Sequence, residues 1–118
     1  MNKARNFRNY KVWQDAVDYS TKVYQITDKM PCFEKKGLCD QLQRAAVSIS
    51  SNIAEGAAKP SNADFARFLD TALGSAYEVE SQLLIANKID NEKYNGLRNG
   101  IIDIEKQLAG LIRSLRSE

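Results

Sequence analysis

Apolar residues recur along this chain at helical spacing, and no stretch alternates as a strand would. Between Tyr10 and Asp28, Val12, Ala16, Tyr19, Val23 and Ile26 step by three and four, and Met30 continues the series. That period places side chains on one face of an α-helix. Trp13, Val17, Ser20 and Tyr24 widen the stripe, and Pro31 in MPCFEKKG stops it. A second helix is predicted over about 34–58, with Leu38, Leu42, Ala45, Ile49 and Ile53 as its core stripe and Lys59-Pro60 as its end. A third, over 61–87, opens on Ser61 as N-cap with Asp64 three residues on. Phe65, Phe68, Leu69, Ala72, Ala76, Val79, Leu83 and Ala86 form its inner face. A fourth, over 91–116, carries Leu97, Ile101, Ile104, Leu108, Leu111 and Leu115. Gly96 and Gly100 each cost roughly 1 kcal/mol against alanine inside a helix. Either close backbone approach or a frayed helix start accounts for them.

Helices of ~20–25 residues span roughly 30–37 Å. Matched lengths and short connections predict an all-α fold, an up-down-up-down antiparallel four-helix bundle. The bundle forms one domain over residues 10–118, and residues 1–9 form a basic N-terminal arm. The chain's 118 residues suit a single core.

Some surface is left once the core is assigned. On the third helix, Ala66, Leu73, Tyr77 and Leu84 fall about 100° from the core face, so a second apolar face is available for subunit contact or for a broad core. On the second helix, Gln41, Arg44, Ser48, Asn52, Glu55 and Lys59 share a strip beside the core stripe, while the third helix offers Ser75 and Glu78 near Gly74. Small side chains let helix backbones approach, and charges at such a seam must find partners. Arg44, Asn52, Glu55, Ser75 and Glu78 therefore read as a polar lock between helices or subunits. A ligand or RNA site is the other reading.

Charge adds one feature. Lys3, Arg5, Arg8 and Lys11 face no acid within residues 1–11, leaving 13 basic and 15 acidic residues over the rest. With Lys35, Lys36 and Lys59 they are the candidate nucleic-acid contacts. Histidine is absent, which removes the commonest general base and metal ligand. Glu55 with Glu78 is the one candidate carboxylate pair. Cys32 and Cys39 have no histidine to activate them as nucleophiles. The reading is no enzyme, no cofactor and no metal. The cysteines stand seven positions apart, which is neither a CxxC pair nor a disulfide framework and suits a reducing cytoplasm. No apolar run approaches the ~18 residues of a membrane span, and the N-terminus has no secretory core.

The run QLQRAAVSISSNIAEGAAKPSNADFARFLDTALGSAYEVESQL resembles the four-helix-bundle proteins encoded by intervening sequences in bacterial 23S rRNA genes. It also resembles the related accessory variability determinant proteins of diversity-generating retroelements. The matching positions are Gln41, Arg44, Ala45, Ser48, Ile49, Asn52, Ile53, Ala54, Glu55 and Gly56, then Phe65, Phe68, Leu69, Ala72, Gly74, Ser75 and Glu78. The opening YKVWQDAVDYSTKVYQIT resembles the family's first helix around Val12, Trp13 and Ala16. The likeness extends over about residues 7–115. It implies a homo-oligomer, a cyclic pentamer with a central pore, and RNA or DNA binding alongside a protein partner. It implies no enzymatic activity. Where the family usually has Gly-Arg after Glu-Gly, this chain has Ala58-Lys59. The arginine fork and the permissive glycine are lost.

Overall fold

A computed structural model describes residues 5–30 and 35–118, apart from the side chains of Lys35 and Lys36. Lys3, Cys32, Pro31 and the predicted start of the second helix at residue 34 lie outside the described residues. A short 3₁₀ turn, Phe7–Asn9, leads into α1 (Lys11–Thr27). A single π turn, Lys35–Cys39, leads into α2 (Asp40–Ala57). Then come α3 (Asn62–Ile89) and α4 (Asn95–Arg116).

Each helix packs on two neighbours: α1 on α2, α2 on α3, α3 on α4, and α4 back on α1. Cross-links give the directions. Thr27 meets Gln43 at the α1–α2 end, Ser48 meets Ser75 midway along α2–α3, and Asn87 meets Asn95 where α3 hands over to α4. The chain is an up-down-up-down antiparallel bundle, a rod of 52 × 20 × 19 Å. The predicted stripes become its axis. Leu42, Ile49, Ile53, Phe65, Leu69, Leu83, Ile101 and Leu108 are fully buried. Burying a side chain of this size contributes about 1.5–3 kcal/mol.

Two departures from the sequence reading have simple causes. Leu111 and Leu115 are only partly buried, and Ile112 takes the core place. A strict three-and-four repeat drifts about the axis of a straight helix, and by the last turns of α4 the leucines have moved to the flank. The other departure is at the start of α4. The structure begins it at Asn95, after a turn in which Asn91 and Glu92 have φ of 53° and 60°. Two left-handed residues cannot continue a right-handed helix. Buried Asn87 organises this turn: its side chain accepts from the Tyr94 N–H at 2.8 Å and donates to Asn95 Oδ1 at 3.0 Å.

The helical glycines resolve differently. A Cβ on Gly56 would lie 2.6 Å from Phe68 Cβ, and one on Gly100 would lie 3.1 Å from the Tyr19 ring. These two mark close approach, of α2 to α3 and of α1 to α4. Gly96 and Gly74 have no neighbour within 4 Å. Gly96 sits in the first turn of α4, where a side chain would meet open space.

Candidate functional site

One end of the rod gathers the N-terminal segment, the α2–α3 turn and the first turn of α3. Residues 5–9, part of the segment marked as a basic arm, are packed against the bundle. Aromatic side chains are the reason. Phe7 meets Trp13 edge-on at 4.9 Å, and Tyr10 meets Phe65 edge-on at 5.6 Å. Arg5 then lies over the Phe65 ring at 4.8 Å, donates to the Lys59 carbonyl at 2.7 Å, and donates to the Asn62 side chain.

The expected cations divide by location. Arg8 is exposed and stacks on Phe7 at 4.4 Å. Lys11 pairs with Asp15 at 2.5 Å, an interaction that raises the lysine and lowers the carboxyl from their ordinary values. Lys59 sits 5.1 Å from the Phe68 centroid. Lys35 and Lys36 lie in the π turn that opens α2, at the other end of the rod. Arg5, Arg8, Lys11 and Lys59 therefore share one end, and the lysine pair does not join them. The sequence reading missed Arg67, which approaches the same Phe68 ring at 6.0 Å and pairs with Asp64 at 2.6 Å. Its place three residues after Asp64, in the second turn of the third helix, was the available signal. That cap is formed: Ser61 Oγ accepts from the Asp64 N–H at 3.1 Å. Among the described residues, no ion pair joins Arg5, Arg8 or Lys59 to a carboxylate. Phe7 and Tyr10, the aromatic residues of this segment, are both engaged in packing.

The α2–α3 seam holds the small polar residues. Ser75 Oγ donates to Ser48 Oγ at 3.0 Å, and Asn52 Nδ2 donates to the Ser48 carbonyl at 2.8 Å and to its Oγ at 3.0 Å. Asn52 and Ser75 thus meet through Ser48, just above the Gly56–Phe68 approach. Arg44, Glu55 and Glu78 are exposed and stand outside this knot.

A second charged cluster was not foreseen. Across the α3–α4 seam, Arg98 Nε lies 3.7 Å from Glu80 Oε2, and Glu105 meets Glu80 carboxyl to carboxyl. Burial and the neighbouring carboxyl push Glu105 up to about 7, opposed by Arg98. Glu80 and Arg98 each stand three residues from a core position, Leu83 and Ile101. In an antiparallel pair such flanking positions face each other, which was the signal to find.

Two apolar faces lie on opposite sides of the rod. Tyr24 and Val47, by register across the α1–α2 groove, are 49% and 40% exposed, with Val17 below them. On the α3–α4 side, Tyr77 and Leu84 are 55% and 40% exposed. Near its lower end Leu73, Ala109 and Ile112 floor a groove of about 540 Å³ edged by Arg113 and by the Asp70–Arg116 pair. Among the described residues no group of three His, Cys, Asp or Glu is placed to hold a metal ion. No described helix is long and apolar enough to cross a membrane.

The site is thus defined by surfaces: a four-helix bundle with a cationic end and two apolar sides. The chain belongs to the 23S rRNA-intervening sequence protein family, whose family model matches residues 8–110. It is similar in structure to a protein of unknown function from the S23 ribosomal protein family of Bacteroides thetaiotaomicron VPI-5482. The TM-score is 0.75 and the identity 25%, over 86% of this chain and 97% of that one. No curated protein matches the chain.

Proposed function

We propose that this protein is a non-enzymatic, oligomeric bundle that binds structured RNA, or another nucleic acid, through electrostatics. The observation carrying this reading is the grouping of Arg5, Arg8 and Lys59 at one end, where no ion pair among the described residues ties them to a carboxylate. Three guanidinium or ammonium groups on a firm aromatic base suit phosphates, whose contacts fix position without reading sequence. With Phe7 and Tyr10 packed, base stacking contributes little. The family's genes lie in intervening sequences of 23S rRNA genes, so a folded RNA is the first ligand to try, and the cytoplasm is the compartment we propose.

Association through the sides of the rod is the second part of the reading. Apolar faces on opposite sides favour head-to-tail contact, which closes into a ring when the rotation permits. A homopentamer is the state we propose.

The test is a mobility-shift titration with a structured RNA over a salt series. Log affinity should fall with log salt at a slope of roughly −1 per phosphate neutralised. Lys59→Glu combined with Arg8→Glu should abolish the shift. No retention even at low salt overturns the reading. A protein–protein scaffold with no nucleic-acid role is the alternative, favoured by the exposure of Tyr24 and Tyr77. A stable protein partner recovered free of nucleic acid would select it.

A further inference from the structure

The Glu80–Glu105–Arg98 cluster is charge-imbalanced where it sits. It brings two carboxyls to one guanidinium, and Arg98 Nε is 3.7 Å from Glu80 Oε2. Glu105 Oε2 is shut off from solvent with no hydrogen-bond partner, and so is Arg98 Nε as a donor. Two elements pack on α4 here. From α3 the facing titratable group is Glu80. From α1 it is Tyr19, whose hydroxyl already donates to the Leu97 carbonyl at 2.7 Å and is held protonated by burial. On α4 itself, among the described residues, Arg98 is the group that opposes them. Nothing else in the cluster neutralises the second carboxylate.

A proton does. Placed on Glu105, it turns a repulsive contact into an O–H···O⁻ hydrogen bond to Glu80, and it leaves one carboxylate facing one guanidinium. Removed, it leaves two like charges in contact at a seam that hides one of their oxygens. The low-energy response is for Glu80 to close on Arg98 and for Glu105 to turn out to water, parting the seam at its middle.

We infer that this cluster is a proton-operated joint in the α3–α4 seam, closed when the two carboxyls share a proton and loosened when both are ionised. By register, Tyr77 and Leu84 of α3 and Ile102 of α4 border it on the outside. The joint thus sets how that apolar side of the rod is presented.

The experiment is an NMR titration of the Glu105 side-chain carboxyl together with amide exchange of residues 77–84 and 98–105, corrected for intrinsic rates. The range is from about pH 5.5 to about pH 8.5. Expected is a Glu105 transition near neutrality. Past it, seam protection falls by roughly tenfold per pH unit, as linkage to one proton requires, until local opening dominates. Glu105→Gln keeps a neutral donor and should hold protection at its low-pH level throughout. In Glu80→Gln the like charge is gone, and Glu105 should titrate well below its wild-type midpoint. A Glu105 carboxyl titrating in the ordinary carboxylate range, or a seam whose protection ignores pH, overturns the proposal. So does a Glu105→Gln variant that keeps the wild-type pH response.

Discussion

Gly56 and Gly74 look alike in the sequence, each a helical glycine among small residues, yet only one is held by its surroundings. The space for a Cβ at Gly56 is taken by Phe68 Cβ, an atom fixed to the α3 backbone. Gly56→Ala should lower unfolding free energy by about 1–3 kcal/mol, the cost of overpacking. Gly74→Ala meets nothing and should raise it by roughly 0.5–1 kcal/mol through helix propensity. Urea denaturation of the two variants checks both signs. Glu105 gives a third expectation at this scale. Its folded value, about 7, lies above the ordinary 4.5. Between those values the folded chain holds a proton that the unfolded chain has released. Stability is therefore full below the window and falls as pH rises through it. Asp15, Asp64 and Asp90 are shifted downward and act only in acid. The urea midpoint should decline from about pH 5 to about pH 8 in wild type and stay level in Glu105→Gln.

The helices were legible because periodicity reports burial directly, and the stripes of α1, α2 and α3 became core with few changes. What escaped was set by pairing between elements. The DNEKYN turn contains neither Gly nor Pro, so no local signal separated Glu92 from a helix. The turn exists because buried Asn87 reaches forward to Tyr94 and Asn95. Asn87→Ala should cost about 1–3 kcal/mol, since it leaves the Tyr94 N–H buried without that acceptor. Thermal unfolding of this variant, against Lys93→Ala as an exposed control in the same turn, tests whether the turn is held from Asn87. The candidate site divided in the same way. The N-terminal cations could be read from charge, but their fastening depended on Phe65 and Phe68, one helix away. Asn52 and Ser75 could be named as polar seam residues, while the serine that joins them, Ser48, was visible only as part of a longer strip. Arg44 and Glu55 share that strip, and Glu78 stands on the facing helix, yet all three are exposed.

At the scale of the whole molecule, the arrangement of surfaces is the informative feature. The apolar faces run along the long sides of a rod and the cations sit at its tip. A pentamer built through the sides should give about 67 kDa by light scattering, five times the 13.3 kDa chain. A single-chain mass would refute side-to-side assembly. Tyr77→Asp, which charges the centre of one face, should shift the mass toward the single chain while leaving the helical circular-dichroism signal intact. Rods joined side by side around a rotation axis all point the same way. Such a ring is polar: one rim displays every copy of Arg5, Arg8 and Lys59, and the other displays none. Each tip alone would hold phosphates weakly. A folded polyanion laid across the rim meets several tips at once, and the effective concentration of the second contact exceeds that of the first by orders of magnitude. The position of Arg5 over Phe65, fixed at the tip by an aromatic ring and a backbone carbonyl, would then decide which face of the ring a polyanion recognises.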